Sequence, residues 1–196
     1  RAEVVVLAAG IWSPPFAARY GVTIPLHAAE HYYAITQPIG SIPSGLPILR
    51  DPDHCAYFKP EGGGLLIGLF ESVARPWPEG PVPEASFIEI DPHLDHVLPL
   101  LDRAFERLPG LRDVPFRQIF CGPESFTPDD RFLLGEAPAL PGLWVAAGFN
   151  SIGIQAAGGV GWVLADWILD GRPPLDVWAV DIRRFEAFAG EAPYLR

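Results

Sequence analysis

Two short runs of consecutive apolar residues lie near the two ends of the chain, at residues 4–7 and 143–147. An unbroken apolar run such as VVVL is typical of a strand that is buried on both faces of a parallel sheet. Each run ends in a small-residue turn and is followed by a segment that favours helix, at residues 13–20 and 160–169. This order predicts α/β structure at both ends of the chain, with the two strands packed together.

The strand predicted at residues 4–7 indicates that the chain does not contain the whole sheet. A strand covered on both faces needs neighbours in its sheet, and few other segments of the chain could supply them. We therefore interpret the chain as a fragment of a longer protein. The open edge of a truncated sheet favours self-association, so we expect the isolated chain to associate with itself.

The middle of the chain has a different pattern. Residues 24–36 are mostly apolar or β-prone, residues 55–59 and 65–70 flank the turn PEGGG as in a β-hairpin, and residues 115–121 favour a further strand. Residues 94–108 carry apolar side chains at helical spacing and stop at a Pro-Gly pair. The predicted fold class is therefore α/β with an inserted antiparallel β-sheet region of α+β type.

Composition narrows the classes of function. The net charge is −10 and basic residues do not cluster, which argues against a nucleic-acid partner. No apolar run is long enough to span a bilayer and no signal peptide is visible, so we expect no membrane partner. Cys55 and Cys121 are isolated, which favours free thiols in a reducing compartment, the cytoplasm or the mitochondrial matrix of a eukaryote. His93 and His96 lack a third ligand nearby, so no metal is expected.

The run LWVAAGFNSIGIQAAGGVG at residues 143–161 is the most informative part of the chain. A strand that ends in glycine and reopens as a helix leaves backbone N–H groups unpaired at the turn. Small residues there let a flat or charged group approach the backbone. Two interpretations stay open from this run alone, a cofactor site and a tight strand-to-helix packing turn.

Several collinear segments together carry a specific resemblance. They are AAGIW (8–12), AEHYY (29–33), PILRD (47–51), GGLLIGLFE (63–71), CGPESFTPD (121–129), AGFNSIG (147–153), DGRPPLD (170–176) and DIRRF (181–185). The chain resembles the second half of the FAD-dependent amine oxidoreductase domain of the dimethylglycine dehydrogenase and sarcosine dehydrogenase family. The resemblance implies a two-domain FAD-dependent oxidoreductase fold. Residues 1–23 and 126–196 would then belong to the FAD-binding domain and residues 24–125 to a substrate-binding antiparallel sheet.

The resemblance also implies a function and a cofactor. FAD would accept a hydride equivalent from an N-methyl amino acid of the dimethylglycine or sarcosine type, which would be oxidatively demethylated. Two alternatives stay open, a non-catalytic regulatory relative with the same fold and an autonomous binding module. We expect that the isolated chain binds FAD weakly and is inactive, because the pyrophosphate contacts of such proteins belong to a GxGxxG segment that this sequence lacks.

Candidate site residues follow from matching positions. His31 and Tyr57 are the candidate catalytic residues, because the resemblance implies that they face the flavin and the substrate. From the residues alone, a core histidine is the better interpretation of His31, and Tyr57 could be an ordinary cross-strand aromatic residue. The candidate FAD contacts are Gly10, Trp12, Gly148, Phe149, Asn150, Ser151, Ile152, Gly153 and Ile154. The backbone N–H groups of the last seven are expected near the flavin ring.

Three further expectations come from the family pattern. A missing N-terminal half would hold the pyrophosphate and, in many members, a histidine linked to the flavin. A C-terminal folate-binding region that takes tetrahydrofolate would begin just after Phe185. Phe132 stands where the loop pattern has a proline, and Glu124 is either an anchor for neighbouring backbone or part of the site.

Overall fold

The computed structural model describes residues 1–40, 42–43, 45–77, 82–83 and 88–195. The chain forms two compact units. The first unit comprises Arg1–Ala29, Pro76–Glu84 and Glu124–Arg196, and the second comprises Glu30–Arg75 and Ala85–Pro123. The predicted domain boundary between residues 125 and 126 lies two residues from a unit boundary. Residues 24–29 and 76–84, which we had placed in the middle domain, group with the first unit.

The described part of the chain contains eight strands and four α-helices. The strands are β1 (Val5–Leu7), β2 (His27–Thr36), β3 (Leu49–Asp51), β4 (Ala56–Glu61), β5 (Gly64–Leu69), β6 (Phe116–Phe126), β7 (Leu133–Glu136) and β8 (Leu143–Ala147). The helices are α1 (Ser13–Ala18), α2 (Leu94–Arg107), α3 (Gly153–Asp170) and α4 (Ala192–Leu195). Short 3₁₀ turns lie between some of them, among them Gly10–Trp12, which begins three residues after the last residue of β1.

The first unit contains a three-stranded sheet in the order β1-β8-β7. Strand β1 pairs in parallel with β8, with Val5 opposite Leu143, so the predicted packing of the two terminal strands is confirmed. Strand β7 pairs antiparallel with β8. Because β1 and β8 run in the same direction, the turns that follow them lie at the same edge of the sheet, which is where open α/β sheets bind ligands.

The predicted burial of residues 4–7 is wrong for this chain. Val4, Val5 and Val6 keep 41%, 44% and 47% of their surface exposed, and only Leu7 is buried. Within the described ranges β1 has a partner strand on one side only, so its side chains lack the cover that a central strand receives.

Helix α3 begins seven residues earlier than the apolar pattern predicts, directly at Gly153. Its amino-terminal half is rich in glycine and alanine and is largely exposed, while Val163, Leu164 and Trp167 anchor its second half in the core. It ends at Asp170, and the Gly171 that caps it has a φ of +71°, the left-handed conformation that glycine adopts at helix ends.

The second unit contains a five-stranded sheet in the order β3-β4-β5-β2-β6. The predicted hairpin is confirmed, since β4 and β5 pair antiparallel from Ala56 opposite Leu69 to Glu61 opposite Gly64. Helix α2 supplies the apolar cover for one face of this sheet. Its Val97 and Leu101 are fully buried in one cluster with Tyr32 and Ile67 of the sheet.

Candidate functional site

The turn after β8 in the first unit is held open by Gly148. Its φ of +67° is a conformation that residues with a Cβ rarely adopt. A Cβ at this position would also lie 2.4 Å from a methyl carbon of Leu26 and 2.6 Å from the methyl carbon of Thr127. Both the backbone angle and the packing therefore require glycine here.

Asn150 fixes the next part of the turn. Its side-chain oxygen accepts a hydrogen bond from the backbone N–H of Thr127 at 2.9 Å, and its amide nitrogen donates to the carbonyl of Gly148 at 2.9 Å. Asn150 has a positive φ of 47°, which asparagine tolerates better than most residues. Its side chain thus ties the turn to the end of β6.

Glu124 anchors the last part of the turn. One carboxylate oxygen accepts the backbone N–H of Ser151 at 2.9 Å and the other accepts the Ser151 hydroxyl at 2.7 Å. Ser151 also has a positive φ, at 67°. Both roles left open for Glu124 find support: its contacts anchor the turn, and it also lines the cavity described next.

A cavity of about 530 Å³ opens where β1 and β8 end. Six of the nine candidate FAD contacts line it: Gly10, Gly148, Phe149, Ser151, Gly153 and Ile154. The cavity therefore brings together two turns that are more than 130 residues apart in the sequence. The start of α3 borders it, and Ile152 at the N-cap of that helix makes no side-chain capping bond.

Three candidate contacts do not line the cavity. Trp12 donates its indole N–H to the carbonyl of Pro83 at 2.9 Å, a contact with the loop rather than the cavity. Asn150 is engaged with Thr127 and Gly148, as described above. Ile152 accepts the first bond of α3, from Ala156, through its carbonyl. The structure gives all three local roles within the first unit.

Position 148 requires glycine, whereas position 153 can accept a Cβ. Its φ is not positive, and a Cβ there would lie 3.4 Å from the Cβ of Phe149, which is ordinary contact. Phe149 in turn stacks on Phe132, with ring centroids 4.9 Å apart. Phe132, which replaces the family's proline, thus packs beside the cavity-lining Phe149.

The second unit presents an open sheet face opposite to the one covered by α2. Arg50 pairs with Tyr57, and both Tyr57 and Tyr33 lie opposite Gly68. Residues directly opposite one another share a face, so Arg50, Tyr57 and Tyr33 line up across the strands. A Cβ on Gly68 would lie 1.8 Å from a ring carbon of Tyr57, because the phenol ring lies directly over that glycine.

Phe70, the first residue after β5, lies beside these side chains. The guanidinium carbon of Arg50 is 4.6 Å from its ring centroid, and the rings of Tyr57 and His31 lie 5.7 Å and 6.3 Å away. The two candidate catalytic residues are thus neighbours of one aromatic ring. Within the described ranges no carboxylate forms an ion pair with Arg50.

His31 is held by a buried carboxylate. Its Nδ1 lies 2.8 Å from one oxygen of Glu71, whose other oxygen accepts the backbone N–H of Tyr32 at 3.0 Å. The Glu71 side chain is 2% exposed and the His31 side chain 20% exposed. Sequence reasoning missed Glu71, Phe70 and Arg50 as site residues, although the segments GGLLIGLFE and PILRD contain them.

A polar network lies on the helix-covered side of the same strand. The carboxylate of Glu30 is 1% exposed; it accepts hydrogen bonds from the Tyr32 hydroxyl and from Arg75, and it contacts His93. Burial and the hydrogen bond to Glu30 raise the pKa of Tyr32 above its usual value. Burial is also the main cause that raises the pKa of Cys121 to about 11, so this thiol stays protonated at neutral pH.

The described part of the chain contains no group of three or more His, Cys, Asp or Glu side chains placed to hold a metal ion. No helix found there has the length and apolar character needed to cross a membrane.

Comparisons with known proteins agree with one another. Over 98% of its length the chain is 42% identical to 4-methylaminobutanoate oxidase (formaldehyde-forming) of Paenarthrobacter nicotinovorans, and over 92% it is 39% identical to mitochondrial sarcosine dehydrogenase of Mus musculus. It is also 36% identical, over 89% of its length, to the mitochondrial pyruvate dehydrogenase phosphatase regulatory subunit of Mus musculus. The chain spans only 20–23% of the length of these relatives.

Solved structures and family models complete the comparison. L-proline dehydrogenase from P. horikoshii superposes with a TM-score of 0.74 at 25% identity, covering 93% of this chain and 46% of that one, and the predicted fold class is confirmed. The model "FAD dependent oxidoreductase central domain" matches residues 170–196, and the model "FAD dependent oxidoreductase" matches residues 1–167. The chain therefore belongs to the FAD-dependent oxidoreductase family, as the sequence resemblance indicated.

Proposed function

We propose that this chain is part of a flavin-dependent oxidoreductase that demethylates an N-methyl amino acid. The observation that carries the proposal is the glycine-lined cavity at the ends of β1 and β8, which gathers six of the nine candidate FAD contacts. The names of the two most identical relatives described above support the choice of an N-methylated amine as the substrate class.

The residues of the first unit fit one side of a flavin. Glycines at positions 10, 148 and 153 leave room for a flat ring close to the backbone. The uncapped start of α3 offers N–H groups and the positive end of the helix dipole, which favour negative charge. FAD, when bound, supplies the acceptor for a hydride equivalent from the N-methyl carbon of the substrate.

The second unit supplies the side chains that handle the substrate in this proposal. Arg50 binds the substrate carboxylate, because an unneutralised guanidinium matches a carboxylate in charge and geometry. Tyr57 and Phe70 give the methylated amine an aromatic surface. His31 and Tyr57 orient the amine and hold or share its proton, so that the nitrogen is unprotonated when the carbon is oxidised.

The test is a flavin assay on the natural polypeptide that carries this chain. We expect bound flavin, and we expect anaerobic bleaching of its absorbance near 450 nm on addition of sarcosine, dimethylglycine or 4-methylaminobutanoate, with formaldehyde as a product. Trimethylamine, which lacks a carboxylate, is the matched control and should bleach the flavin far more slowly. Purified protein that holds flavin but is bleached by none of the three amines would contradict the proposal.

A non-catalytic regulatory role is the second candidate, because the chain is 36% identical to a phosphatase regulatory subunit. His31 and Tyr57, both present and adjacent to Phe70, favour catalysis. The same assay separates the two candidates, since a regulatory relative would leave the flavin oxidised or bind none.

The proposal extends to partners and compartment. We propose an amine as the small-molecule substrate and a GxGxxG-bearing half as the segment that holds the pyrophosphate. The central-domain match over residues 170–196 runs past Phe185, so we propose the folate domain that takes tetrahydrofolate beyond that central domain. The isolated chain should then hold little FAD, and the exposed valines of β1 should promote its self-association. Size-exclusion chromatography with light scattering tests this, and a yellow, monomeric chain would contradict it. We place the protein in the cytoplasm, or in the mitochondrial matrix of a eukaryote.

A further inference from the structure

We infer that Glu71 is a positioning residue that fixes the orientation and the tautomer of His31. The inference rests on the proposed function, because it concerns the proton that His31 holds during amine oxidation. Its starting point is a single carboxylate that binds two groups on one strand, the His31 ring at 2.8 Å and the backbone N–H of Tyr32 at 3.0 Å.

Burial makes this carboxylate a rigid support. The side chain of Glu71 is 2% exposed, whereas a carboxylate in water would rotate freely between partners. The bond to the backbone of Tyr32 holds one oxygen, so the other oxygen has a fixed direction toward His31. Phe70 and Glu71 are the two residues that follow β5, so the aromatic ring near His31 and the carboxylate that supports His31 come from adjacent positions.

The chemistry of the pair follows from what each group can donate. An ionised carboxylate only accepts hydrogen bonds, so Nδ1 of His31 must carry a proton to bond with it. The proton that His31 gains or loses is then the one on Nε2. A group that accepts or shares the proton of a substrate amine needs this arrangement, because in the other neutral tautomer Nε2 would already be protonated.

Replacing Glu71 by glutamine separates this role from a structural one. The amide oxygen of glutamine can still accept from Tyr32, while its NH₂ group donates to Nδ1 and so favours the opposite tautomer. We expect E71Q to bind flavin normally, to keep KM within about threefold, and to slow flavin reduction by the N-methyl amine about 10²-fold. The thermal unfolding temperature should stay close to that of the wild type.

The matched control is a second histidine–carboxylate pair of the second unit. His54 Nδ1 lies 2.9 Å from the carboxylate of Asp51, which also binds Arg107. D51N removes a negative charge 2.9 Å from the His54 ring, a distance close to the 2.8 Å between Glu71 and His31, and leaves the pair of His31 and Glu71 unchanged. Flavin reduction in D51N should stay within about twofold of the wild type.

A double-mutant cycle makes the inference specific. If Glu71 acts through the His31 ring, adding E71Q to the H31Q variant should slow flavin reduction by less than about twofold, because H31Q has no imidazole ring for Glu71 to position. A loss of equal size in both backgrounds, or an E71Q enzyme as fast as the wild type, overturns the inference and leaves the proposed function intact. A wild-type protein that no N-methyl amine reduces overturns both.

Discussion

The two units of this chain build their candidate sites from different parts of the polypeptide. In the first unit the site is made of backbone, with positive φ angles at Gly148, Asn150 and Ser151 and a helix start without a side-chain cap. In the second unit it is made of side chains that project from regular strands. Backbone sites cannot be altered without altering the fold, whereas an open sheet face can lose a side chain and keep its strands.

The largest effect that follows from this comparison is at Gly148. G148A would force a Cβ into contact with Leu26 and Thr127 and would strain the turn, which we expect to lower the free energy of unfolding by about 3 kcal/mol. G158A is the matched control. That glycine lies inside α3 with nothing within 4 Å, so alanine should stabilise by about 0.5–1 kcal/mol. Urea unfolding followed by circular dichroism measures both, and equal midpoints would contradict the backbone interpretation.

Substitutions on the open face of the second unit should have the opposite effect: they should slow turnover and leave the free energy of unfolding nearly unchanged. We expect Y57F and H31A each to slow flavin reduction about 10²-fold, because each removes a group that orients or shares the amine proton. Y20F, which alters an exposed tyrosine of the first unit, is the control. Stopped-flow reduction of the holoenzyme is the measurement, and unchanged rates in both variants would remove these residues from the mechanism.

A smaller effect tests whether the first unit binds the flavin ring at the start of α3. G153A has room beside Phe149 and should keep full flavin content. G153V should lose flavin or lower its reduction potential. The valine side chain would keep the flavin ring away from the start of α3, and so weaken an interaction of about 0.3–2 kcal/mol between the helix terminus and the negative charge on the flavin. Flavin content and a dye-coupled redox titration distinguish the variants. If G153V kept both occupancy and potential, the run around it would be only a packing turn.

The smallest predicted effect concerns the loss of thermal stability at acidic pH. Asp129 binds Arg184 through both carboxylate oxygens, at 2.8 Å and 2.9 Å. Partial burial opposes ionisation of Asp129, but the bonds from Arg184 outweigh it and lower the pKa of Asp129. A lowered folded-state pKa means that its stabilisation is present above the pKa of the unfolded chain and is lost as the pH falls through the folded value. D129N should therefore flatten the fall in thermal stability below about pH 4, and an unchanged slope would contradict this.

Local patterns were enough to predict several elements. The hairpin of β4 and β5, helix α2 and the pairing of β1 with β8 follow from turn residues and from apolar spacing. The burial of residues 4–7 was wrong because burial depends on neighbouring strands, which a local pattern does not show. The amino-terminal half of α3 was missed since glycine and alanine carry little apolar periodicity.

Local patterns can also identify some candidate site residues, whereas others are brought together only by the tertiary fold. Gly148 stood out by its residue type and its place after a strand. The pair of His31 and Glu71 could not be predicted, because 40 residues separate its members and only the sheet register brings them together. Trp12 is predicted to contact the cofactor, and in the structure its indole N–H also donates to the carbonyl of Pro83, a contact that no periodicity predicts.

The phenol ring of Tyr57 occupies the space that a side chain at Gly68 would need. These two positions therefore cannot vary independently during evolution. A lineage that enlarges residue 68 must first give up or move the aromatic ring at 57, and a lineage that keeps the ring must keep glycine. The pair can serve as a coupled marker when sequences are searched for chains with the same packing on this sheet face. It also warns library designers to randomise both positions together.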